Sequence, residues 1–131
     1  MPANTSIPVL VVDDHRTMLM IIARQLQQLG FGNVDTATDP VTALTMLRQR
    51  RYGLILSDWN MEPMDGIGLL RALRQDPDYS GIPFLLVTAE SRPARVLEAR
   101  EQGANGYMVK PFDRDGLRRK LAAILGPLPV H

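Results

Sequence analysis

Three carboxylates carry the chemistry of this sequence. Asp13 and Asp14 follow the apolar run Val9-Leu10-Val11-Val12, and Asp58 follows Leu54-Ile55-Leu56-Ser57. Such runs, each leading into a helical pattern, read as buried parallel strands. Acids at the carboxyl ends of neighbouring strands share one rim, and they repel one another unless a cation neutralises them. A cluster of hard oxygen donors suits Mg²⁺ best in a cell, with Mn²⁺ or Ca²⁺ as alternatives. A carboxylate beside such an ion can attack a phosphoryl group and form an aspartyl phosphate. Transfer also needs positive charge on the phosphoryl oxygens. Lys110 follows a strand pattern and can supply that charge, and Thr88 ends another strand and can donate a hydroxyl hydrogen bond.

The elements that must position these residues alternate strand and helix five times. Strands are expected at about Ile7–Val12, Asn33–Ala37, Gly53–Asp58, Pro83–Thr88 and Gly106–Val109. The first helix places Leu19, Ile22, Leu26 and Leu29 on one face and stops at Gly30. Asp39-Pro40 is an N-cap followed by proline at the first helical position, with Val41, Leu44 and Leu47 then facing inward. The third helix carries Leu69, Leu70 and Leu73. The fourth is capped by Ser91, has Pro93 in its first turn and ends at Gly103. The fifth carries Leu117, Leu121, Ile124 and Leu125 up to Gly126.

Five β-α units predict a parallel sheet covered on both faces, because parallel strands need right-handed crossovers. Five strands favour the flavodoxin-like, doubly wound order 2-1-3-4-5. In that order strands one and three are neighbours at the switch point, where ligands bind outside the carboxyl ends. Asp13, Asp14, Asp58, Thr88 and Lys110 all fall on that rim.

At 131 residues the chain suits one domain, with a core from about 7 to 125 and short tails. A net charge of +1 gives no broad field for nucleic acid or an anionic membrane. The absence of cysteine removes disulfides, thiolate catalysis and thiolate-bound zinc. No signal-peptide pattern opens the sequence, and no apolar stretch reaches the roughly 20 residues a bilayer requires. A cytoplasmic location is expected.

Read in order, Asp13-Asp14, Asp58-Trp59-Asn60-Met61, Met64-Asp65-Gly66, Val87-Thr88-Ala89-Glu90, Gly106-Tyr107 and Lys110-Pro111-Phe112 resemble the receiver (response-regulator) family of bacterial two-component signalling. The resemblance runs from about Ile7 to Leu125 and is strongest to stand-alone, chemotaxis-type members. It implies that Asp58 accepts a phosphoryl group from the phosphohistidine of a sensor kinase or a histidine phosphotransfer protein. It implies Mg²⁺ on Asp13, Asp14, Asp58 and the backbone carbonyl of Asn60. Lys110 and Thr88 would meet the phosphoryl oxygens, and Tyr107 would move inward to signal through helix four, strand five and helix five. Asn60 and Glu90 would tune phosphoryl lifetime through self-catalysed dephosphorylation, and Lys110-Pro111 would be a cis bond. Output would pass to a downstream protein from a monomer or a weak phosphorylation-dependent dimer.

Two departures stand out. The family's Met-Pro-x-Met-Asp-Gly is here Met61-Glu62-Pro63-Met64-Asp65-Gly66, with proline one place late and a carboxylate, Glu62, at the entrance. Pro93 and Arg100 stand where flagellar-motor-binding members have a lysine and a small residue, which argues against motor binding; the resemblance implies a chemotaxis-like role, with a phosphorelay intermediate or the regulator of a non-flagellar partner as the alternative. Simpler readings also attach to single residues. His15 reads as a bystander, Trp59 as packing or partner contact, Asp65-Gly66 as a turn, and Arg48-Gln49-Arg50-Arg51 as a solvated helix end. An aspartyl phosphohydrolase would want an acid two places after the nucleophile, where Asn60 stands. A flavin carrier would not place Asp13-Asp14-His15 against a phosphate.

Overall fold

The structure, a computed structural model, describes residues 3–89 and 91–128. Strands and helices alternate along it: β1 (Val9–Val12), α1 (Arg16–Gln28), β2 (Val34–Ala37), α2 (Pro40–Gln49), β3 (Leu54–Asp58), α3 (Gly66–Arg74), β4 (Phe84–Thr88), α4 (Pro93–Glu101), β5 (Gly106–Val109) and α5 (Arg114–Leu125). The strands are parallel throughout, in the order 2-1-3-4-5. β2, with its mixed pattern, lies at an edge as expected.

Alternation along the central strands divides the core into two layers. Val9, Val11, Leu54, Leu56, Leu85 and Val87 pack with α1 and α5 residues such as Leu19, Ile22, Leu117 and Leu121. Leu10, Val12, Ile55, Phe84 and Leu86 face the other way, onto Leu47, Leu69, Leu70, Leu73 and Ala99 from α2, α3 and α4. Each fully buried side chain of this size stabilises the fold by about 1.5–3 kcal/mol.

Several boundaries shift for identifiable reasons. β1 begins at Val9 and β4 at Phe84, because Pro8 and Pro83 have no N–H for a ladder. The buried stripe of α2 is Pro40, Ala43 and Leu47, so Val41 is turned outward and 54% exposed while Leu44 is only partly buried. Proline at the first helical position takes the inward place and fixes the phase of the stripe. The N-cap of α4 is Arg92, whose side chain makes no capping hydrogen bond to the helix, rather than Ser91, and Pro93 opens the helix. Asp39 caps α2 through a 2.7 Å bond from the Thr42 N–H, as expected. Gly30, Gly103 and Gly126 end their helices with positive φ of 103°, 98° and 99°.

Candidate functional site: an acidic pocket on the carboxyl rim

The register explains why the acids meet. Val12 pairs with Ser57 across β1 and β3, so the next residue on each strand, Asp13 and Asp58, emerges side by side. Asp58 pairs with Val87 on β4, and Thr88 pairs with Val109 on β5. Each step brings the next strand end to the same rim. The Lys110 N–H donates to the Thr88 carbonyl at 2.7 Å, which fixes the lysine as it leaves β5. The Lys110–Pro111 bond is cis, as the resemblance implies, and Glu62–Pro63 is a second cis bond.

Asp13 and Asp58 are buried, at 1% and 5% exposure, and Asp14 is exposed. Lys110 Nζ lies 3.0 Å from Asp13 Oδ2 and 3.2 Å from Asp58 Oδ1. Burial is the main force raising the Asp58 carboxyl above its usual range. Lys110 opposes that rise and Asp13 adds to it. One ammonium group faces two buried acids, and a third acid lies close to them at the surface.

Asp13, Asp14, Asp58 and His15 each offer a ligand atom, and these atoms lie within 4.8 Å of one another. Oxygen donors of this kind fit a hard divalent cation, which would offset the repulsion that Lys110 alone does not cancel. His15 is more involved than a bystander. Its Nδ1 lies 3.0 Å from Asp14 Oδ1 and 3.3 Å from Asp13 Oδ1, and its N–H donates to Asp13 Oδ1 at 2.9 Å. As the extended N-cap of α1, it turns its ring back over the acids. Neither Asp13 nor Asp14 caps that helix.

The pocket opens into a mouth of about 400 Å³ lined by Asp14, Asn60, Met61, Glu62 and Asp65. Glu62 therefore does stand at the entrance. Asp65 does more than turn the chain, because it caps α3 by accepting the Gly68 N–H at 2.8 Å. Gly66 packs so tightly that a Cβ would strike the Asp58 carbonyl and the Leu86 side chain. Its N–H donates to the Trp59 carbonyl at 2.7 Å, closing the loop that follows Asp58.

Two residues carry more of the site than their types suggested. The Trp59 N–H donates to Asp58 Oδ1 at 2.9 Å, and the Trp59 ring is 3% exposed. That ring meets Tyr107 edge to face, with centroids 6.2 Å apart and planes at 73°. The Arg95 guanidinium of α4 lies 5.0 Å from the Trp59 centroid. Arg95 had no sequence signal, since its partner lies 36 positions away across the α4 face. Thr88 is fully buried at the rim and Tyr107 half-buried beside Trp59. Glu90 lies outside the described residues.

A family model described as the response regulator receiver domain matches residues 9–122. The chemotaxis protein CheY-3 of Vibrio cholerae is 41% identical over 121 residues, covering 92% of this chain and 93% of that one. The chemotaxis protein CheY of Pseudomonas aeruginosa is 45% identical over 116 residues, covering 88% and 94%. Among solved structures, the chemotaxis response regulator CheY4 of V. cholerae superposes with a TM-score of 0.85 at 34% identity, covering 92% of this chain and 99% of that one.

Proposed function

The chain belongs to the response regulator receiver family, and we propose that Asp58 is its phosphoacceptor in a Mg²⁺-dependent two-component relay. The observation that carries this reading is the placement of the Asp58 carboxylate. It is buried, bonded to Lys110 and lies beside Asp13 at the switch point of the sheet.

The Trp59 and Lys110 contacts both fall on Asp58 Oδ1, which leaves Oδ2 for attack on phosphorus. The donor is a phosphohistidine of a sensor kinase or a histidine phosphotransfer protein. The new bond joins Asp58 to phosphorus as the P–N bond breaks, and its electron pair returns to the imidazole, which takes a proton. Asp13, Asp14 and Asp58 would hold Mg²⁺ together with the Asn60 carbonyl, and Mn²⁺ fits the same donors. When bound, the ion supplies positive charge against the phosphoryl oxygens. Lys110 pairs with one of those oxygens and Thr88 donates to another. Asn60 at the mouth and Glu90 set how readily water reaches the acyl phosphate, so the chain removes its own label without turning over a substrate.

CheY-like receivers interact with histidine kinases and with downstream targets. Here the face formed by α4, β5 and α5 holds a groove of about 450 Å³, lined in part by Val96, Arg100, Tyr107 and Lys120. Tyr107 touches both this groove and Trp59, so a change at Asp58 reaches the groove through two side chains. A phosphorylated chain would present the altered face to a protein partner, in a chemotaxis-like or a relay role, as a monomer or a weak dimer in the cytoplasm.

Incubation with acetyl phosphate and Mg²⁺ should give one acid-labile aspartyl phosphate per chain, and Asp58→Asn should abolish it. Label retained in that variant would move the acceptor elsewhere.

A further inference from the structure

The contact between Arg95 and Trp59 links a helix to the acceptor through a single residue. Trp59 uses its backbone N–H to hold Asp58 Oδ1 and its ring to meet α4 and β5. Both ends of that residue are constrained. Its carbonyl accepts from Gly66, and its buried ring is bounded at the edge by Tyr107 and capped by the Arg95 guanidinium. Arg95 is itself steadied by Glu98, whose Oε1 accepts from Nη1 at 3.1 Å one turn along α4. That ion pair is half-exposed and contributes little alone. A guanidinium over an indole face is the stronger contact, since tryptophan has the most favourable ring for a cation.

Because the ring is buried between Tyr107 and Arg95, a displacement of the ring is passed through Cβ and Cα to the backbone of the same residue, and so to the N–H that orients the carboxylate. Near-attack geometry is sensitive to displacements of this size. We propose that Arg95 is a positioning residue for phosphoryl transfer: by holding the Trp59 ring from α4, it keeps the Trp59 amide on Asp58 Oδ1 and the other carboxylate oxygen presented for attack. The proposal rests on Asp58 being the phosphoacceptor. Coupling of this kind is reciprocal, so charge added at Asp58 is felt by α4 through the same contact.

Trp59 is the only tryptophan in the chain, so its fluorescence reports this contact without interference. Initial rates of labelling by acetyl phosphate at saturating Mg²⁺ would be compared for the wild type, Arg95→Ala and Arg95→Lys, alongside Trp59 emission in metal-free buffer. Arg95→Ala should label about five-fold more slowly, and its emission should move to longer wavelength as water reaches the ring. Arg95→Lys keeps the cation and should label within about two-fold of wild type. Labelling of Arg95→Ala at the wild-type rate despite a shifted emission would overturn the proposal, as would Arg95→Lys being as slow as Arg95→Ala. A wild-type chain that takes no label at Asp58 would instead refute the phosphoacceptor reading itself.

Discussion

Two polar clusters lie on opposite terms with their surroundings. Beside β2, Asp35 accepts from Arg50 at 2.7 Å and from the Tyr52 hydroxyl at 2.6 Å, and the Arg50 guanidinium lies 5.7 Å from the Tyr52 ring centroid. One carboxylate meets one guanidinium and one phenol. Burial first, and then the bond to Asp35, push the Tyr52 hydroxyl up to about 12, so it stays a donor at any working pH. On the carboxyl rim, Asp13 and Asp58 share the ammonium of Lys110, and Asp14 lies close beside them, 3.0 Å from His15 Nδ1. The first cluster closes on itself and ties β2 to the start of β3. The second is left short of positive charge, a deficit that a divalent cation would offset.

The largest effect that separates the two clusters should come from metal. A ligand bound by the folded state alone adds about 2.7 kcal/mol at a hundred times its Kd. Raising Mg²⁺ through the millimolar range should therefore raise the Tm of the wild type clearly and that of Asp13→Asn little. A variant of Tyr52 should keep the full response. An unchanged wild-type Tm would remove the distinction between the clusters. A smaller effect is expected from Tyr52→Phe, which deletes one bond to Asp35 while Arg50 remains. Denaturant unfolding should show a loss of about 1 kcal/mol, with acetyl phosphate labelling unchanged; a parallel loss of labelling would mean that the clusters are not independent.

The smallest effect concerns Asp58 without metal. Its carboxyl is raised in the fold, chiefly by burial, so the folded state holds that proton more tightly than the unfolded chain. The associated stability is present below the ordinary carboxylate range and is lost as pH rises through the folded value. Asp58→Asn, neutral at every pH, should melt close to wild type at pH 3. In chelator at pH 7 it should melt about 3 °C higher, the scale of a sub-kcal/mol change in a domain of this size. A variant that melts lower at pH 7 would show that the Lys110 pair outweighs the burial of the charge.

Strand order and the identity of the rim were legible because they depend on local pattern. Apolar runs of four residues, helical spacing and the glycines at 30, 103 and 126 are each visible within a few positions. The acids could be grouped once the order was known, since parallel register carries Asp13 and Asp58 to the same end. Phase within a helix was less legible. Val41 and Ala43 are both apolar, and only the inward placement of Pro40 decides that alanine is buried and valine exposed. Met20 of α1, apolar yet 68% exposed, shows the same ambiguity of phase. The Arg95 contact and the His15 ring over the acids were not legible at all. Both depend on where a long or rotatable side chain comes to rest against another element, and no spacing rule encodes that.

The Ala3 N–H donates to the Pro127 carbonyl at 2.7 Å, joining the segment before β1 to the segment after α5. In a parallel sheet, the start of β1 and the end of α5 lie at the edge opposite the carboxyl rim. Anything spliced onto either segment would leave the molecule from one shared point, turned away from the acids. Bridging those two points with a few residues and opening the turn after α3 would give a rearranged chain with the same sheet order. The pocket would be unaware that its sequence had been re-cut, because no strand end that builds it would have moved.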